Sequence, residues 1–218
     1  MAKGTFITLE GSEGCGKSTQ LELLVRRIRA LGYRVRATRE PGGTPIGEEI
    51  RHTLKHSKSN AAMTPEAELL LVNASRAQLV REVIRPALEV GEVVVCDRFF
   101  DSTTAYQGYG RGLDLKMVQT LIDVAVEDVR PSLTVLLTVP SEISELRRAM
   151  RQSTLPFMRD RIEESDQEFF RRVDQGFAAI AAAEPNRVRV VDASGSIDGV
   201  CEHVWDTVRP ALPKMGRW

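Results

Sequence analysis

This 218-residue chain has no excess charge of either sign, few cysteines and no long apolar run. Its 30 basic residues balance its 30 acidic ones, which excludes the broadly basic footprint of a general nucleic-acid or membrane-surface binder. Three cysteines, Cys15, Cys96 and Cys201, lie far apart with no Cys-x-x-Cys or Cys/His spacing, so neither a disulfide framework nor a zinc site is expected. The three histidines, His52, His56 and His203, have no carboxylate or thiol patterned around them and read as surface or helix-cap residues. The amino-terminal MAKGTFITLE carries no signal-peptide core, and no later run approaches a membrane span. A cytoplasmic protein with reduced thiols is expected. Repeats and low-complexity tracts are also missing.

What is present is the composition of an ordinary globular chain, 42% apolar and 28% charged, long enough for one α/β domain over residues 1–218. Phe6 to Leu9 read as a strand that ends in a glycine loop. Helical spacing then runs through Leu21, Leu24, Val25, Ile28 and Leu31 to a stop at Gly32. Further strands are expected at 35–38, 92–96, 133–139 and 187–191. Helices are expected near 46–54, 65–85, 114–126, 141–150, 166–183 and 197–208. Thr64-Pro65 is a helix start with Glu66 and Glu68 in the first turn, and Pro86 is expected to interrupt that helix. The runs EVVVC and LTVLLTV lack polar alternation, as strands covered on both faces do. Strands alternating with helices imply a doubly wound parallel sheet. The arginine-rich segment 151–164, with Pro156 and no clear period, reads as a lid or loop.

The chemistry starts at Gly11, Gly16, Lys17 and Ser18, which satisfy G-x-x-x-x-G-K-[ST] between a strand and a helix. Backbone N–H groups of 11–19 (Gly11, Ser12, Glu13, Gly14, Cys15, Gly16, Lys17, Ser18, Thr19) would cradle ATP phosphates. Lys17 would reach the β and γ groups, and the Ser18 hydroxyl would hold Mg²⁺. Asp97 ends the buried strand EVVVC, where an acid serves either as a strand-end cap or as the magnesium-facing carboxylate. Arg39 and Arg98 leave their strands at the same sheet edge and suggest a second phosphate site. An acceptor that is a phosphate monoester is already ionised at neutral pH, so positioning and charge neutralisation would suffice. Arg151, Arg159 and Arg161 fit that scheme if their segment covers the donor; otherwise they are a solvated charge run.

GSEGCGKST, TREPGGT, the D-R pair of CDRFFDSTTAYQGYGRG and the arginine segment ending RDRIEE resemble, in this order and spacing, the bacterial type of thymidylate kinase. The resemblance covers nearly the whole chain. It implies a P-loop NTPase three-layer fold with a five-stranded parallel sheet, transfer of the γ-phosphoryl group of ATP to dTMP with Mg²⁺, and a homodimer. Carried over, Lys17, Asp97, Arg98, Arg161 and Arg159 are the catalytic set, with Arg161 the leading transition-state arginine because Gly14 stands where the eukaryotic type has a basic residue. Ser18 and Asp97 would be the metal residues. Glu13, Arg39, Pro41, Val72, Arg76, Arg98, Ser102, Thr103 and Tyr106 match the acceptor site, with Glu40-Pro41 as the turn beneath it. Val72 departs from the family, which carries an aromatic ring there for base stacking; Phe99 or Phe100 is a candidate substitute. The alternatives are a kinase for another pyrimidine monophosphate and a regulatory P-loop ATPase.

Overall fold

The computed structural model describes residues 4–154, 161–162 and 165–213. In chain order its elements are β1 (Thr5–Glu10), α1 (Lys17–Ala30), β2 (Val35–Arg39), α2 (Pro45–Lys55), a 3₁₀ turn (Lys58–Ala62) and α3 (Pro65–Leu79). A π-helical segment (Val80–Ile84), α4 (Arg85–Glu89), β3 (Val93–Asp97), α5 (Phe100–Thr103), a second π segment (Thr104–Gly110) and α6 (Leu115–Val126) follow. The chain continues through β4 (Leu133–Thr138), α7 (Ser141–Thr154), α8 (Gln167–Ala183), β5 (Val188–Asp192), α9 (Ile197–Val208) and a closing 3₁₀ turn (Arg209–Ala211).

The five strands form one parallel sheet in the order β2-β3-β1-β4-β5. Strand periodicity divides the core between its two faces. Ile7, Leu9, Val93 and Val95 join Leu24, Val25 and Ile28 of α1 and Val200, Val204 and Trp205 of α9. Phe6, Val94 and Cys96 instead meet Leu69 and Leu79 of α3 and Val118, Ile122 and Val126 of α6. Each fully buried aliphatic side chain among them contributes roughly 1.5–3 kcal/mol. Side chains of Thr44, Thr64, Asp114, Asp166 and Ser196 cap α2, α3, α6, α8 and α9 by accepting a backbone N–H of the first turn.

Three local departures from the sequence pattern have physical causes. Pro86 does not end the helix begun at Pro65. The turn before it widens so that the Arg85 N–H donates to Val80 O, five residues back, and Pro86 then occupies the first turn of α4, where no N–H is needed. The segment 100–110 is helical despite its Ser, Thr and Gly content, because Ala105 and Tyr106 are buried with Phe169, Val173 and Phe177 of α8. Gly110 and Gly176 permit this approach, since a Cβ on either would lie within 3 Å of Phe169 or Tyr109. Finally, α7 extends to Thr154, so the first residues of the expected lid, 151–154, are helix rather than loop. Residues 155–160, 163 and 164 of that segment lie outside the described residues, Arg159 included.

Candidate active site

Parallel register sets the carboxyl ends of β2, β3 and β1 side by side, with Arg39 and Leu9 both paired to Asp97. A cleft of about 590 Å³ opens above this edge, where open α/β sheets bind ligands. Its wall includes Glu13, Gly14, Gly16, Lys17, Ser18 and Thr19 on one side. Arg39, Pro41, Val72, Arg76, Ser102, Thr103 and Tyr106 line the other, with Asp97 and Arg98 between the two groups.

The loop after β1 curls because Gly11, Gly14 and Gly16 take positive φ values of 136°, 83° and 95°. Lys17 folds back into the curl and donates from Nζ to Gly11 O (2.8 Å) and Ser12 O (2.9 Å), with Cys15 Sγ at 3.5 Å. Ser12 is tied through its hydroxyl to Asp174 of α8. Ser18 Oγ donates to Asp97 Oδ2 at 3.0 Å, while the buried Asp97 Oδ1 has no hydrogen-bond partner. This hydroxyl and carboxylate supply the hard oxygen atoms that suit Mg²⁺, which binds to one or two protein ligands plus phosphate oxygens. Among the described residues no group of three or more His, Cys, Asp or Glu could hold a metal by itself.

Arg98 has φ 68°, a conformation uncommon outside glycine. It returns the guanidinium toward the loop, where it donates to Gly11 O (3.0 Å), Ser102 Oγ (2.9 Å), Glu13 Oε1 (2.8 Å) and the Tyr106 hydroxyl (3.1 Å). Burial pushes the Tyr106 phenol well up, so it stays protonated. Arg39 is held by Glu48 at 2.8 Å and is half exposed to the cleft. Arg76 is buried and donates twice to Glu40 Oε2 (2.9 and 2.7 Å), once to Thr103 Oγ1 (2.9 Å) and once to Asn73 Oδ1 (3.0 Å). The Glu40-Pro41 peptide is cis, and Pro41 O accepts from Arg51 Nη1 at 2.9 Å.

Three expected residues are engaged by other groups. Arg161 is not at the loop: its guanidinium pairs with Glu68 and donates to Met63 O at 3.0 Å. Phe99 lines the cleft but its ring is core, packed on Phe6 and beneath the Arg76 guanidinium, and Phe100 packs under Arg187 and Arg130. Neither presents a free face in place of the ring missing at Val72.

Three participants escape the sequence reading. Glu10, fully buried, accepts from the backbone N–H of Phe99 (2.7 Å) and of Ser102 (3.3 Å) and from Ser102 Oγ (2.6 Å), so it caps α5 from the neighbouring strand. A charged residue closing an apolar strand was its only signal. Gln107 lines the cleft one residue beyond Tyr106 and donates from Nε2 to Glu68 Oε1 at 2.7 Å. Arg147 of α7 reaches the donor side and contacts Gly14 O at 3.3 Å, while Ser144 Oγ donates to Glu13 O at 2.7 Å. A Cβ at Gly14 would meet Ser144 O at 2.8 Å, so α7 fills the space a larger residue would need.

A phosphate cradle facing a second anion pocket across one cleft, on this sheet, defines a P-loop nucleoside monophosphate kinase. Residues 9–204 match the family model described as Thymidylate kinase. The chain is 48% identical to the thymidylate kinase of Syntrophotalea carbinolica over 97% of its own length and 98% of the relative's. It is 51% identical to that of a Synechococcus species, covering 95% and 96%. A crystal structure of thymidylate kinase from Ehrlichia chaffeensis superposes with a TM-score of 0.77 at 32% identity, over 94% of this chain and 99% of that one. The chain belongs to the thymidylate kinase family.

Proposed function

We propose that this enzyme transfers the γ-phosphoryl group of ATP to dTMP, giving dTDP and ADP. The observation that carries the reading is one cleft lined by Lys17 and Ser18 of the phosphate loop, by Asp97 and Arg98 at the end of β3, and by Arg39, Arg76 and Gln107. The loop N–H groups and Lys17 hold the donor phosphates; the contacts of Lys17 with Gly11 O and Ser12 O keep its ammonium within the curl of the loop. Ser18 and Asp97 would hold Mg²⁺, which would supply positive charge against that of the donor phosphates. Arg39 and Arg98 clamp the acceptor phosphate, and Glu13 holds the Arg98 guanidinium from the loop side.

The acceptor phosphate is already an ionised nucleophile, so no general base is required and the residues act by positioning and charge stabilisation. Gln107 and Arg76 face the base. Val72 offers it a smaller apolar contact than a ring, a difference of about 1 kcal/mol in affinity. Arg161, with Arg159, is proposed to meet the transferring group, which requires Arg161 to exchange Glu68 for phosphate. We place the enzyme in the cytoplasm as a homodimer. Leu70 of α3 and Val124 of α6, exposed at 55% and 72%, support an association face, and among the described residues no helix is long and apolar enough to cross a membrane.

The test is turnover of dTMP, dUMP, UMP and CMP with Mg-ATP by the purified protein. dTMP is expected to be the preferred acceptor. Equal or better use of another monophosphate overturns the assignment, and ATP loss indifferent to any acceptor marks a regulatory ATPase instead.

A further inference from the structure

We infer that Glu68, a buried residue of α3 that does not line the cleft, sets base specificity by fixing which end of the Gln107 amide faces the acceptor. This rests on the reading of Gln107 as a base-facing residue. Glu68 is fully buried, and each carboxylate oxygen is engaged: Oε1 accepts from Gln107 Nε2 (2.7 Å) and Arg111 Nε (3.2 Å). Its Oε2 accepts from Arg111 Nη2 (3.1 Å) and from Arg161 Nη1.

Burial alone would raise the Glu68 carboxyl, but Arg111, Gln107 and Arg161 outweigh it and hold the group below the usual carboxylate range. An ionised carboxylate only accepts hydrogen bonds, so Gln107 must turn its NH₂ toward Glu68. The other end of the amide, Oε1, has no hydrogen bond among the described residues. The cleft therefore meets an acceptor at Gln107. A thymine or uracil ring answers it with the N3–H donor. Cytosine presents a lone pair at N3 instead, and two acceptors then face each other without water, which costs the desolvation of both.

Gln107 by itself could not make this choice, because a free amide exchanges its two ends by rotation about one bond. The selectivity is held one residue back from the base. Replacing Glu68 by Gln removes the constraint: the new amide can donate to Gln107 Oε1, turning the Gln107 NH₂ toward the cleft, where cytosine N3 can accept it. Replacing it by Asp keeps charge for Arg111 and Arg161 but draws the carboxylate back from Gln107.

The experiment compares kcat/KM for dTMP and dCMP in the unmodified enzyme, Glu68→Gln, Glu68→Asp and Gln107→Ala, with the KM for ATP as a control. Both Glu68 variants are expected to lower the dTMP-to-dCMP ratio by about tenfold or more while the KM for ATP stays near its original value. Glu68→Asp decides the matter if Glu68→Gln fails to fold. A loss of the same factor for both nucleotides assigns Glu68 a merely structural role and overturns the inference. An unchanged ratio in the Glu68 variants, with a lowered ratio in Gln107→Ala, overturns it while leaving Gln107 at the base. An unchanged ratio in Gln107→Ala removes the base reading and the inference together.

Discussion

Single side chains in this cleft hold one another before any nucleotide arrives. Lys17 is held by loop carbonyls, Arg98 by Glu13 and Ser102, and Ser102 by Glu10. Substituting Lys17 by Ala is expected to lower kcat by at least about 10²-fold, as loss of a preorganised positive charge at a transferring phosphoryl group does. Near-native turnover would take Lys17 out of the mechanism. Glu10 carries a pH signature. Burial, reinforced by the nearby Asp101 carboxylate, pushes its carboxyl up to about 8, so the folded protein retains a proton that the unfolded chain releases near its ordinary value of 4.5. Stability from this group is thus complete below the lower value and is lost as pH rises toward the higher one, at up to about 1.4 kcal/mol per pH unit. Glu10→Gln, which imitates the protonated acid, should flatten that descent in urea denaturation between about pH 5 and pH 8. An unaltered slope would mean that Glu10 is ionised across the range.

Elements position these residues by close approach. The turn at Gly14 lies against α7, with Ser144 bonded to the loop and Arg147 beside it. Alanine at Gly14 would take an unfavourable positive φ and press its Cβ on Ser144 O, 2.8 Å away. We expect Gly14→Ala to cost about 1–3 kcal/mol in denaturant midpoint and to raise the KM for ATP by displacing α7. Stability and KM equal to the parent would show that α7 moves freely from the loop. Helix starts such as Thr64-Pro65 were legible because a cap and a proline are local signals. The segment 100–110 was not, since its polar, β-branched and glycine content opposes a helix until Phe169, Val173 and Phe177 of α8 bury it. The passage through Pro86 was hidden for a similar reason: a widened turn compensates the missing N–H, and packing decides whether that turn is worth its strain.

At the scale of the molecule, a homodimer predicts twice the monomer mass in light scattering, and Val124→Glu or Leu70→Glu should shift it toward the monomer with the fold intact. A monomer mass for the unmodified chain would overturn the dimer. The sequence by itself determined the alternation that builds a parallel sheet, the phosphate loop with Lys17 and Ser18, the Asp97-Arg98 pair and the family. All of these are carried by short contiguous patterns whose chemistry depends on spacing along the chain. Only the tertiary structure decided that Glu10 caps α5 from another strand, that Arg161 rests on Glu68, and that Phe99 is core rather than a stacking surface. It also decided that the Gln107 NH₂ turns toward Glu68. Each of these depends on partners dozens of residues apart, brought together by strand order β2-β3-β1-β4-β5 and by burial that favours paired polar groups, and neither leaves a local mark in sequence.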